Sequence, residues 1–279
     1  MTDAISARGP LQTRIVHDIR NQIEAGELRD GEALPSTRTL AERFGVSVFT
    51  INEAMKVLAA EGLVENQSRS RRTVRAPGLA AATRPEQPRR IVLVGGYAGS
   101  GKTELGRVLA RQTGWPVLDK DTMTRPLVER ALEALGQPAN DRDSEVYSRE
   151  IRPHEYEALM AAAYENADCG VAAIVTAPFV AEFSDAAWLE RERARFEERG
   201  VPAEVVWVAC DAETMHTYIR RRGAARDAAK LADWPAYLAK VDPNRRPAGA
   251  HHVIDNSVDA EPLTAQAKRL LEAMSGATA

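Results

Sequence analysis

The run Gly96-Tyr-Ala-Gly-Ser-Gly-Lys-Thr103 combines residue types and a spacing suited to holding phosphate. It fits G-x-x-x-x-G-K-[ST]. Glycine carries no Cβ, so the backbone N–H groups of Gly96, Ala98, Gly99, Ser100 and Gly101 can turn toward phosphate oxygens. The Lys102 ammonium would pair with β- and γ-phosphates, and the Thr103 hydroxyl would ligate Mg²⁺. Glu104 completes the nucleotide-binding set in the first turn of a helix whose positive end faces the same oxygens. ATP with Mg²⁺ is the expected cofactor.

Two further clusters suit phosphate chemistry. Val117-Leu-Asp-Lys-Asp121 ends in two acids. Asp121 is the first choice for taking the proton of an acceptor hydroxyl or holding Mg²⁺, and Asp119 is second, with helix capping as its alternative. Tyr218-Ile-Arg-Arg-Arg222-Gly-Ala-Ala-Arg226 gathers four arginines around a glycine. They could close over a transferring phosphoryl group, with Arg222 and Arg226 as the inward pair, or form a solvated face. Residues 123–166, with Arg125, Arg130, Arg149, Arg152, His154, Glu155 and Tyr156, either bind an anionic or sugar-like acceptor or form surface charge. His251 and His252 have no metal-ligand spacing and read as strand residues.

The elements around these groups are consistent with the chemistry. A β-branched strand, Ile91–Val94, precedes the glycine loop, and a helix over Thr103–Gln112 follows it. Apolar strand-like runs at 171–176, 204–209 and 252–254 alternate with helical stretches. This is an α/β pattern with a parallel sheet, an α/β P-loop NTPase. Together these features resemble small P-loop kinases of the zeta-toxin-like, chloramphenicol-phosphotransferase-like and polynucleotide-kinase-like group, over most of residues 90–275. One departure is Thr176, where many relatives carry Asp. A neutral hydroxyl anchors magnesium less well than a carboxylate, so nucleotide binding is expected to survive better than fast transfer.

Residues 1–75 have a different character. Leu11, Ile15, Ile19 and Ile23 form one helical stripe. Ser36 caps a helix over Thr37–Phe44, Gly45 stops it, and Ser47 caps a second over Phe49–Glu61. Two short helices joined by Gly45-Val-Ser47 form a helix-turn-helix, and Leu63–Val74 reads as a two-stranded wing. The spaced residues Gly26-Glu-Leu28, Leu34-Pro-Ser-Thr-Arg38, Gly45-Val-Ser47 and Glu61-Gly-Leu-Val64 resemble the winged helix of GntR-family transcription regulators. The resemblance implies DNA contacts from Arg38, Ser47, Thr50, Arg69, Arg71 and Arg72. Val48 stands where an arginine is usual, and Arg69-Ser-Arg-Arg72 replaces a glycine-rich wing tip.

The 279 residues carry 37 basic and 40 acidic side chains. Residues 1–90 total +3 and residues 91–279 total −6, a basic head on an acidic body. Arg75–Arg90 holds three prolines and no apolar period, so the expected division is 1–75, a linker at 76–89, and 90–275. No apolar run approaches the roughly 18–20 residues of a membrane span, and no signal segment opens the chain, so a cytoplasmic protein is expected. Cys169 and Cys210 read as small core residues, and the four tryptophans as core or half-buried packing. The leading expectation is a homodimeric regulator that binds double-stranded operator DNA. Its kinase-like body would bind ATP–Mg²⁺ and sense a nucleotide or small effector. The alternative is an autoregulated small-molecule kinase, with Asp121, Lys102, Arg222 and Arg226 as its catalytic groups; a toxin-like kinase acting on nucleotide sugars ranks third.

Overall fold

Leu40, Ile51, Ala54 and Leu58 turn inward from two short helices, and Ile15, Ile19 and Ile23 meet them from a third. This is the core of the head in a computed structural model that describes residues 10–66, 72–75 and 89–276. The three helices are α1 (Pro10–Glu24), α2 (Thr37–Phe44) and α3 (Val48–Ala60). Both expected caps form. Ser36 Oγ accepts from the Thr39 amide and Ser47 Oγ from the Thr50 amide, each at 3.1 Å. Each satisfies a donor that has no partner inside its helix. Gly45 between them is left-handed (φ 66°), which stops α2 and sets the turn. The wing follows as β1 (Val64–Asn66) antiparallel to β2 (Arg72–Val74), with Val64 opposite Val74 and both side chains in the core. Leu11 does not extend the stripe; it is 48% exposed.

The body is built on five parallel strands. These are β3 (Ile91–Gly95), β4 (Val117–Asp119), β5 (Ala173–Thr176), β6 (Ala203–Ala209) and β7 (His252–Asp255), in the order β4-β5-β3-β6-β7. Period-two alternation sends Ile91 and Leu93 to one face, where α6 (Arg152–Asp168) and α7 (Ala186–Glu197) bury Phe179, Phe183, Phe196 and Trp207. Val92 and Val94 point to the other face, against α4 (Lys102–Thr113) and α11 (Leu263–Gly276). A central strand covered on both sides reads as a continuous apolar run, as Ile91–Val94 does. Each fully buried Ile, Leu or Phe contributes about 1.5–3 kcal/mol. Helix α5 (Lys120–Ala134) follows β4 directly. Helix α8 (Ala212–Arg222) leads to the short α9 (Ala228–Ala232) and α10 (Trp234–Leu238).

Parallel strands end on one side, so the sheet brings Gly95, Asp119, Thr176, Ala209 and Asp255 to a common edge. That edge is where ligands of open α/β sheets bind. One expectation about side chains changes. Cys169 is exposed at the C-terminal end of α6 rather than in the core, while Cys210 is partly buried. Two described arginines of the basic head and linker are ion-paired. Arg90 is buried in an ion pair with Glu204 at 2.7 Å, and Arg75 pairs with Glu65 at 2.9 Å. Arg69 and Arg71 lie outside the described residues.

Candidate functional site

The glycine loop links β3 to α4 at the centre of the strand-end edge. Gly99 and Gly101 are both left-handed (φ 81° and 93°). A Cβ at Gly99 would come within 2.7 Å of the Met215 carbonyl oxygen, and one at Gly101 within 2.0 Å of the Asn256 amide nitrogen. Close packing and positive φ together demand glycine at both positions. The loop is tied down by its ends. The Gly96 amide donates to the Pro178 carbonyl, the Ser100 amide to the Tyr97 carbonyl, and the Tyr237 hydroxyl to the Ala98 carbonyl.

Lys102 Nζ donates to the Tyr97 carbonyl at 3.3 Å, and among the described residues no carboxylate forms an ion pair with it. Desolvation, with the nearby Arg222 guanidinium adding to it, pushes its ammonium down from 10.5 to about 8. A desolvated cation facing a neutral carbonyl is a site prepared for an anion.

Asp119 has two tasks. Its Oδ1 caps α5 by accepting from the Thr122 amide at 2.9 Å. Its Oδ2 accepts from the Thr176 hydroxyl at 2.6 Å and lies 3.5 Å from the Thr103 hydroxyl. Thr176 thus supports Asp119 instead of standing in for a missing carboxylate. The donor set of Thr103, Asp119 and Asp121 is hard oxygen, one hydroxyl and two carboxylates. It fits Mg²⁺, which leaves its other positions to water and phosphate. Among the described residues no group of three His, Cys, Asp or Glu side chains is arranged to hold a metal by itself.

One cavity holds most of the expected groups. Gly99, Gly101, Lys102, Thr103 and Glu104 line it, as do Asp119, Asp121, Thr122, Arg125, Arg221 and Arg222. Lys120 Nζ, 3.1 Å from Asp121, also reaches the buried Glu155 at 2.7 Å and fixes the start of α5. The arginine beside Arg222 in the cavity is Arg221, which the sequence reading did not single out. The side chain of Arg226 lies outside the described residues. Of the expected acceptor residues only Arg125 reaches the cavity. Arg130 and Arg149 pair with exposed glutamates, His154 is exposed, and Arg152 stacks on Tyr156 while pairing with Glu182. His252 approaches Glu204 at 3.5 Å and His251 contacts the Gly249 carbonyl, both ordinary strand-end roles.

The head also lines this cavity, through Gln22, Glu27 and Arg43. No feature of the sequence separates these three from solvated surface residues.

In the helix-turn-helix, the Arg38 side chain is 87% exposed beside Glu42, and Thr50 sits with the Ser47 cap at the start of α3. At the same helix start Val48, noted in the sequence as replacing an arginine, is 48% exposed, and Phe49, which the sequence reading did not single out, is 72% exposed. Arg72 works differently from the expectation. It donates to the Thr37 hydroxyl at 2.7 Å and to Asn52 Oδ1 at 2.9 Å, bracing α2 against α3.

Residues 91–244 match the family model described as AAA domain, more than half of the chain. The chain belongs to this family. Residues 11–74 match the bacterial regulatory proteins of the gntR family, so the AAA domain carries a gntR-type helix-turn-helix head. Among curated proteins, the shikimate kinase of Moorella thermoacetica is 45% identical over 67 residues, 23% of this chain and 34% of that protein. The mannosyl-D-glycerate transport/metabolism system repressor MngR of Escherichia coli is 40% identical over 57 residues, 20% of this chain and 24% of that protein. This chain therefore spans about a third or less of the length of these relatives. A sugar kinase structure from Janibacter sp. HTCC2649 is 22% identical, covers 67% of this chain and 99% of its own, and superposes with a TM-score of 0.44. Among the described residues no helix is long and apolar enough to cross a membrane.

Proposed function

We propose that this chain is a transcription regulator whose winged helix binds double-stranded operator DNA as a homodimer and whose AAA domain binds ATP with Mg²⁺ as the signal, alone or with a small effector. The observation that carries this reading is the shared cavity: Gln22, Glu27 and Arg43 of the head line the same space as Lys102 and Thr103. A ligand there touches reader and sensor at once, and a ligand can shift DNA affinity only through unequal contacts in two states. The chain divides accordingly into 1–75, a linker at 76–89, and 90–275.

Lys102 and the amides of Ala98, Gly99, Gly101, Thr103 and Glu104 would hold the phosphates, the amides of Gly96 and Ser100 being taken by the Pro178 and Tyr97 carbonyls. Thr103, with Asp119 or Asp121, would hold Mg²⁺, which when bound neutralises the β- and γ-oxygens. In the head, Arg38 would contact phosphate and Ser47 and Thr50 would sit at base edges. Val48 and Phe49 offer apolar contact to thymine methyl groups. Arg69 and Arg71 would add phosphate contacts from the wing. Operator affinity of the full chain, measured with and without ATP–Mg²⁺, tests the reading. Equal affinities would sink the sensing function. Labelled ATP retained by wild type and not by Lys102→Ala assigns the site.

A second reading has its own observation. Asp121, Thr122 and Arg125 of the AAA domain line the same cavity as Lys102, where an acceptor hydroxyl could sit. Asp121 would then take the hydroxyl proton while Lys102, Arg222 and Arg226 stabilise the moving phosphoryl group. Transfer of radiolabel from ATP into a metabolite extract, lost in Asp121→Ala with ATP binding retained, would establish it. An unaffected rate would remove Asp121 from the mechanism.

A further inference from the structure

Helix α1 is buried on two sides. Its apolar stripe faces α3, and its other face is polar: His17, Asp18, Asn21 and Glu24 are all under a tenth exposed. The partners of that polar face belong largely to the AAA domain. The Asn21 amide donates to Asn256 Oδ1 at 2.8 Å and contacts the Tyr218 hydroxyl. Glu24 accepts from the Thr264 hydroxyl at 2.8 Å and from its amide at 3.1 Å. Asn21 Oδ1 is buried with no partner, so the match is incomplete. A polar, imperfectly matched interface between domains resembles a reversible association more than a fused core.

Arg221 is the centre of this interface. Its guanidinium donates to Asp18 Oδ1 at 2.7 Å and to Glu104 Oε1 at 2.7 Å, with Glu27 at 3.6 Å. It lies over the Tyr218 ring at 4.6 Å, and its side chain is 8% exposed. The same arginine lines the cavity of Lys102 and Thr103. Two of its three carboxylate partners, Asp18 and Glu27, come from the head, so the head presents to Arg221 the anion that a nucleotide would present.

We infer that Asp18 is an internal anionic ligand of Arg221, holding its guanidinium until a nucleotide phosphate takes it, so that nucleotide binding loosens the head from the AAA domain. The inference rests on the nucleotide reading above. A phosphate carries more charge than a carboxylate and accepts two parallel N–H bonds from one guanidinium. Losing Arg221 leaves Asp18 as a carboxylate almost without water, a state that burial penalises heavily unless the helix moves out. The incoming phosphates also stand near Glu104 and Glu27 and repel both. The start of α3 lies off this interface, with Phe49 72% exposed, so docking governs how the head is oriented and leaves the DNA-facing helix accessible.

The test uses the full chain, ATP–Mg²⁺ and the non-hydrolysable β,γ-imido analogue. Asp18→Asn keeps the shape and removes the competing charge. It is expected to tighten nucleotide binding by about 5- to 150-fold, the usual range of coupling between sites. In wild type, the saturating analogue should speed hydrogen exchange of the amides over residues 10–24. Unchanged or weaker nucleotide binding in Asp18→Asn overturns the inference, as does unchanged or slower exchange over 10–24. In both cases wild-type nucleotide binding still stands. Absence of nucleotide binding in both proteins removes the nucleotide reading and this inference together.

Discussion

Replacing Lys102 by Met separates a binding residue from a structural one, because the two roles predict opposite effects on stability. In the folded protein the Lys102 ammonium is pushed from 10.5 to about 8, chiefly by desolvation. At about 1.4 kcal/mol per pH unit, holding that charge in the site costs at most about 3 kcal/mol at neutral pH, less where solvent screens the partly exposed chain. Methionine keeps the stem and removes the charge. The ligand-free variant should therefore melt higher than wild type at pH 7, by several degrees and at most about 10 °C. The gain should shrink as pH rises from 8 toward 10. There the unfolded lysine still holds its proton while the folded one has released it, so wild type gains stability with pH. Saturating ATP–Mg²⁺ should raise the wild-type midpoint, by about 2.7 kcal/mol at a hundredfold excess over Kd, and leave the variant unmoved. Thermal melts of both proteins at pH 7 and 9, with and without ATP–Mg²⁺, give the answer. A variant less stable than wild type at pH 7, or one that keeps its ATP shift, would refute the argument.

Three other outcomes follow from the same structure. ATP affinity of wild type should fall about tenfold per pH unit above pH 8, since phosphate binds the protonated Lys102; calorimetric titration between pH 7 and 9.5 measures it, and a flat profile would place Lys102 away from the phosphates. Arg72→Ala should destabilise the protein by about 1.5–3 kcal/mol in urea unfolding and weaken operator binding through misplacement of α2 and α3; unchanged stability would show the brace to be dispensable. Arg38→Ala should weaken binding to specific and random duplexes alike and lower the salt slope of log K by about 1, whereas a loss confined to one base position would make Arg38 a base reader.

Much of this molecule is legible one segment at a time. The caps at Ser36 and Ser47, the stop at Gly45 and the left-handed glycines at 99 and 101 are local devices, and each is visible in a few consecutive residues. Strand Ile91–Gly95 announces itself because a strand covered on both faces is apolar at every position. The harder readings were those that depend on a partner far away in sequence. Thr176 reads as a lost carboxylate until β5 sets it against Asp119, and Arg72 reads as a free wing cation until the fold offers it Thr37 and Asn52. Cys169 suits a core by residue type, and only its place at the end of α6 leaves it exposed.

By itself the sequence determined that a winged helix-turn-helix precedes a phosphate-binding loop on a parallel sheet, because turn geometry, capping and the covering of a strand are written in neighbouring residues. Only the tertiary structure decided that the two parts share a cavity and that Asp18 meets Arg221. His17, Asp18, Asn21 and Glu24 have the period of a solvated helix face, and a polar side chain gives no sign of whether water or another domain will satisfy it.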